Sequence, residues 1–144
     1  MDKDNPIVKL VNQGMEMEQE NKIEFAKILY LQAWDEAMND QEKCVAAHFV
    51  ARQQDNPEDA LKWNIESLNY ANKVSTEEVK SYYPSLYLNI GKSYEELGNN
   101  NEAEKYYNLA LDKIHDLSRG INNEKYNKGI EETIIEKRNK FKKQ

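Results

Sequence analysis

Between Pro84 and Ile114 the apolar and small residues recur three and four positions apart. Tyr87, Ile90, Gly91 and Tyr94 fall on one stripe, and Ala103, Tyr107 and Ala110 on a second. That period places each set on one face of a helix, so PSLYLNIGKSYEELGNNNEAEKYYNLALDKI predicts two amphipathic helices back to back. The second stripe's order of alanine, aromatic and small residue recurs upstream at Ala26, Tyr30 and Ala33, and more weakly at Ala60, Asn64 and Ser67. The first two sets start 34 residues apart and the next two 43 apart, so nine residues are inserted before the third. Small residues are needed where helix axes cross closely, since a large side chain there forces the pair apart.

The punctuation between the stripes sets the helix map. A first hairpin is expected from about Pro6 to Gln19 and Lys22 to Met38, with Pro6 at an opening turn that lacks N–H partners anyway. A second pairs about Gln41–Gln53 with Pro57–Asn72. Asn56 is its cap, and acids fill the turn after Pro57. Ser75-Thr76-Glu77-Glu78 has a capping-box pattern, which predicts an extended helix from about Thr76 to Leu97, kinked by Pro84 near Tyr82 and Tyr83. Gly98 suits a left-handed helix end, and a partner helix is expected from about Asn101 to Leu117. After the break Arg119-Gly120-Ile121-Asn122-Asn123, a last helix over about Glu124–Lys142 carries Tyr126, Ile130, Ile134 and Phe141 on one stripe. The expectation is seven helices and no strands, in one domain covering 1–144.

With its aromatic, aliphatic-Gly pair and Tyr, followed by Ala, aromatic and Ala, the third hairpin resembles a tetratricopeptide repeat. The resemblance covers about Pro6 to Leu117. It implies an all-α, right-handed solenoid of about three repeats, near 6–39, 41–73 and 76–118, closed by a capping helix near 124–142. AAHFVARQQ, PEDALKWN and YYPSLYLNIG look like a group of small stand-alone bacterial proteins of this kind. The second repeat departs most, with His48 for the small residue and Asn64 for the aromatic.

The resemblance also implies a concave groove, lined by the first helix of each hairpin, that takes an extended peptide or partner segment. Its layout puts Val8, Val11, Asn12, Met15 and Gln19 there from the first repeat, and Val45, Phe49, Arg52 and Gln53 from the second. The third repeat adds Ser85, Leu88, Asn89, Lys92 and Glu96. Phe49 and Leu88 would offer apolar pockets, Asn12 and Asn89 amide hydrogen bonds, and Arg52 and Lys92 attraction for an anion. The clamp by which one subfamily holds chaperone tails is not kept, since its positions are Val11, Met15, Ala46, Ser85 and Asn89 here. An alternative fate of the groove is filling by the C-terminal helix, with Tyr126 and Ile130 as plugs.

Composition agrees with a helix-rich chain. Of 144 residues 32% are charged, and 5 Gly and 3 Pro leave few sites for the turns of a many-stranded fold. The net charge of −6 argues against a general nucleic-acid binder. From Glu124 onward, however, seven Lys or Arg face four Glu, a net of +3, chiefly Lys137, Arg138, Lys140, Lys142 and Lys143. That end reads as a complement to a helix C-terminus, with contact to an acidic partner, or RNA binding, as alternatives. A single cysteine excludes an internal disulfide. No run has signal-peptide or membrane-span length, so a cytoplasmic location away from membranes is expected.

Candidate chemistry is sparse. Cys44 and His48 stand four apart on one helix face, a spacing able to share a metal or proton, but no further ligand lies nearby. Core packing is the expected role, with the imidazole hydrogen-bonded locally; a metal or redox role is the alternative. There is no phosphate loop, nucleophile elbow or His-Glu-x-x-His motif, so no enzyme, metal or cofactor is expected. Trp34 and Trp63 read as packing between helices, whereas Tyr82 and Tyr83, beside the insertion, are candidates for an exposed aromatic contact. The sequence therefore points to a non-catalytic module for a protein or peptide partner. The alternative is a self-associating homodimer, suggested by the insertion and the Tyr82–Tyr83 pair.

Overall fold

The computed structural model describes residues 1–117 and 124–142. It contains α1 (Pro6–Gln19), α2 (Ile23–Glu36), α3 (Asp40–Arg52), α4 (Pro57–Ala71), α5 (Glu77–Lys80), α6 (Tyr83–Glu96), α7 (Asn100–Leu117) and α8 (Glu124–Lys142). Seven of these are long helices and α5 is a single turn of 4 residues, with no strand among the described residues. None of the described helices is long and apolar enough to cross a membrane. The expected Arg119–Asn123 break and the side chain of Tyr126 lie outside the described residues.

Three antiparallel pairs form the frame: α1 with α2, α3 with α4, and α6 with α7. Successive pairs join through α2 against α3 and α4 against α6, and α8 closes the series on α7 and α6. The caps follow local chemistry. Asn5, Asn39, Asn56 and Thr76 each accept a backbone N–H at the start of their helices. The turns of the first and third hairpins share one geometry. Asn21 (φ +60°) and Gly98 (φ +80°) adopt the left-handed conformation, and Lys22 N–H to Met17 C=O and Asn99 N–H to Tyr94 C=O close them.

One sequence expectation is corrected here. The helix from Thr76 to Leu97 is not continuous but splits into α5 and α6, with Ser81 and Tyr82 between. Pro84 sits in the first turn of α6, where its missing N–H costs nothing, rather than at a kink inside a longer helix. The insertion folds inward: Val79 on α5 is fully buried with Cys44, Ala71 and Leu86.

The seams between helices hold the signature residues. Ala26, Tyr30, Ala33, Ala103, Tyr107 and Ala110 have no exposed surface. A Cβ on Gly14 would come within 2.2 Å of the Tyr30 ring, and one on Gly91 within 2.4 Å of the Tyr107 ring, so glycine is what admits each tyrosine. Each ring ends in a carboxylate four residues beyond its glycine. Tyr30 Oη donates to Glu18 at 2.7 Å, and Tyr107 Oη to Glu95 at 2.7 Å. In the second hairpin the same offsets hold His48, Arg52 and Asn64, and Ala60 is only half-buried. Trp34 packs edge-on against Trp63 (5.0 Å between ring centroids) and Tyr70 (5.8 Å), joining α2 to α4.

Candidate partner-binding groove

The groove residues expected from sequence fall into three groups. Asn12 is exposed on α1, whereas Met15 is half-buried against Ile7, Val11 and Ala46. Arg52 and Gln53 converge on Glu18: Arg52 Nη2 lies 2.8 Å from Oε2, and Gln53 Nε2 donates to Oε1 at 2.7 Å. Burial pushes the Glu18 carboxyl up. The bonds from Tyr30, Arg52 and Gln53, with the guanidinium charge, outweigh it and leave the carboxyl below its usual range. Arg52 is thus the cation that ties the second hairpin to the first, not a free anion receptor.

Leu88 must leave the list. It is 7% exposed and belongs to the cluster of Ala103, Tyr107, Ala110, Ile114, Ile130 and Ile134, so α8 and α7 claim it as core. The same contacts place Ile130 and Ile134 as the seal of the last hairpin. The capping helix repeats the interlock of the first junction, since Lys137 Nζ (3.1 Å) and Lys140 Nζ (3.8 Å) meet Glu95 as Arg52 meets Glu18. Burial raises the Glu95 carboxyl, but Tyr107 and Lys137 bring it down overall.

Two clefts open between α3 and α6. The larger, about 500 Å³, is lined by Cys44, Val45, His48 and Phe49 from α3 and by Ser81, Tyr82, Ser85 and Leu86. None of those eight side chains carries a formal charge while His48 is neutral. Burial, helped by the nearby Arg52 charge, holds the imidazole down to about 4, so it is neutral near pH 7. Its Nδ1 is buried without a hydrogen-bond partner, contrary to the local bond expected from sequence. Phe49 lies edge-on to His48 (5.1 Å) and beside Tyr30 (5.3 Å).

The smaller cleft, about 290 Å³, is polar and brings together Arg52, Asn89 and Lys92 with Asn56, Asn64 and Glu96. Asn64 Oδ1 is also buried without a partner. Lys92 has no ion pair among the described residues, which leaves it the most available cation of the predicted set.

The Cys44–His48 spacing does not assemble a ligand set: no group of three metal-binding side chains occurs among the described residues. Cys44 is buried beside Ser67, whose hydroxyl donates to the Cys44 carbonyl at 2.7 Å, and burial pushes its thiol up. Tyr82 and Tyr83 do not form one exposed pair. Both are half-buried; Tyr82 faces the larger cleft and bonds Glu78 (3.2 Å), while Tyr83 Oη donates to Asn72 at 2.7 Å. What the sequence reading missed was the His48 and Asn64 pair of orphaned atoms. The available signal was that Gly14/Glu18/Tyr30 and Gly91/Glu95/Tyr107 share offsets of 4 and 16 that the second hairpin breaks.

Residues 84–112 match the tetratricopeptide repeat family. Neither curated proteins nor solved structures give a significant match to the chain. The matched segment is the α6–α7 hairpin, and such repeats generally serve protein–protein interaction and are not catalytic. Over that hairpin the chain is similar to a tetratricopeptide repeat.

Proposed function

We propose that this chain is a non-catalytic cytoplasmic adaptor that holds an extended segment of a partner protein between α3 and α6. The observation that carries the reading is the pair of clefts along those two helices, one uncharged and apolar at Phe49, one polar at Arg52, Asn89 and Lys92. An extended chain placed across both could bury an apolar side chain in the first and set a carboxylate or backbone carbonyls against the second. The three hairpins act in this reading as one domain with α8 as its cap, and Asn12 and Met15 extend the same surface toward α1.

Lys92→Glu is the better test than Arg52→Glu, because the latter would set a carboxylate against Glu18 and disturb the hairpin junction. Peptides selected from a random extended library on the intact chain should lose about tenfold or more in affinity for Lys92→Glu and for Phe49→Asp, each folded by circular dichroism. Undiminished binding to both variants would sink the groove reading.

Self-association has a separate support, though not the one the sequence suggested, since Val79 of α5 is buried and the Tyr82 and Tyr83 hydroxyls are engaged. Phe25 (61% exposed), Ile28 (60%) and Leu31 (46%) instead line the outer face of α2. A concentration-dependent mass abolished by Ile28→Glu would establish that second reading, and a monomer at millimolar concentration would remove it. RNA binding through the basic end loses two of its cations, Lys137 and Lys140, to Glu95.

A further inference from the structure

Phe25, Ile28 and Leu31 follow one another at every third residue of α2, exposed, on the side turned away from the buried Ala26, Tyr30 and Ala33. The half-buried Lys27 and Trp34 take the flank toward the second hairpin, Lys27 on Asp55 and Trp34 on Trp63. The outer face of an end repeat is normally polar, and this one is not. We propose that a second copy of this chain covers it with the outer face of α8, so that copies join head to tail. This rests on the self-association reading above, names the other half of that contact, and stands apart from the groove reading.

Charge selects α8. Glu24, Asp35 and Glu36 are exposed around the apolar run, and Lys27 within it is already held, 3.0 Å from Asp55 and 3.5 Å from Glu24. Two copies of α2 set face to face would therefore oppose acids to acids. The other large apolar side chains exposed among the described residues are Met38, Leu97 and Ile135. Met38 sits by Glu36 and Asp40, and Leu97 follows Glu95 and Glu96. Ile135, 47% exposed, instead shares its stripe with Lys128, Arg138 and Lys142, against Glu131 and Glu132. Asp35 is seven residues from Ile28, and Lys128 and Lys142 are each seven from Ile135, about 10 Å along a helix. Laying Ile28 on Ile135 thus brings Asp35 to a lysine in either helix direction. The two ends of the chain agree, with eight acids against four cations in residues 1–38 and six cations against four acids in 124–142. Neither face lines the clefts between α3 and α6, so each joined copy keeps its groove open. One helix laid on one helix covers less than the roughly 1,000 Å² of a stable interface, so the association is weak. Because its two faces differ, it continues past a dimer unless a ring closes.

The test measures mass by sedimentation equilibrium on the full chain up to millimolar concentration, with each variant folded by circular dichroism. The parent should grow beyond a dimer, and Ile28→Glu and Ile135→Glu should each weaken association at least tenfold. An equimolar mixture of the two variants should regain a dimer and stop there, since one keeps a working α8 face and the other a working α2 face. Raising the salt from about 0.01 to 1 M should loosen the parent's association, because the pairs around the apolar contact are exposed. Association lost in Ile28→Glu but unchanged in Ile135→Glu overturns the head-to-tail contact and leaves self-association through α2. A mixture that stays monomeric, or association that salt does not loosen, overturns the proposal as well. A monomeric parent removes it together with the self-association reading, and none of these outcomes touches peptide binding in the groove.

Discussion

At the scale of single residues the chain repeats one device, a glycine that admits a tyrosine ring and a carboxylate four residues later that receives its hydroxyl. Gly91→Ala would gain about 1 kcal/mol of helix propensity. It would also drive a Cβ to 2.4 Å from the Tyr107 ring, and overpacking of that kind costs about 1–3 kcal/mol, more when the ring cannot move. Tyr107 is fully buried and anchored to Glu95, so the clash should win. Urea unfolding should show a net loss for Gly91→Ala and for Gly14→Ala; a gain in either would mean the rings shift freely. His48 makes the opposite prediction about solvent conditions. Its folded value of about 4 lies below the unfolded 6.5, so the unfolded chain takes up the proton first and stability is lost as pH falls from 6.5 toward 4. Between pH 7 and 5 the loss should be about 2 kcal/mol, seen as a falling Tm that His48→Gln flattens. Glu18, Glu42 and Glu95, all held below the usual carboxyl range, withdraw their contributions only at lower pH, as it falls from about 4.5 through their folded values.

At the scale of helices, whatever depended on local chemistry was legible. Asn56, Thr76, Pro6 and Gly98 each marked an end, and α8 begins and stops where the stripe of Ile130, Ile134 and Phe141 implied. What depended on contacts between helices was not. Asn21 takes a left-handed turn that glycine takes in the third hairpin, and nothing in the neighbouring sequence distinguishes it from an ordinary polar residue. Leu88 read as a groove residue because the stripe rule counts only the partner helix; the arrival of α8 on the adjacent face turned it into core. The capping role of α8 is open to measurement. Ile134 is fully buried, and Ile134→Ala should cost about 2–4 kcal/mol through the cavity left behind. Its effect should be local: amides of α8 and of α6 near Leu88 should exchange faster, while those of α1 keep their protection. Uniform acceleration along the chain would show instead that the solenoid opens as a single unit.

At the scale of the whole molecule the second hairpin is the one that breaks the rule obeyed on either side of it. Its orphaned His48 Nδ1 and Asn64 Oδ1 each carry an unsatisfied polar cost of about 1–3 kcal/mol. The first and third hairpins spend the same positions on a buried glycine–tyrosine contact. If the central irregularity is kept for binding, restoring the rule should trade one property for the other. His48→Gly with Asn64→Tyr would rebuild the contact, but the new hydroxyl would face Arg52 and find no acceptor. Adding Arg52→Gln supplies an acceptor, its amide oxygen, without setting a second carboxylate against Glu18. Glu18 then loses a cation yet keeps its bonds from Tyr30 and Gln53. The triple variant should therefore be more stable than both the double variant and the parent, by about 1–3 kcal/mol against the parent, since it satisfies a contact that the other two hairpins already use. The same change removes the imidazole from the lining of the larger cleft, so peptide binding that depends on that lining should weaken as stability rises. A folded triple variant no more stable than the parent would show that the orphaned atoms cost nothing. Ordered water would then be their partner, and the hairpin's irregularity would need no ligand to account for it.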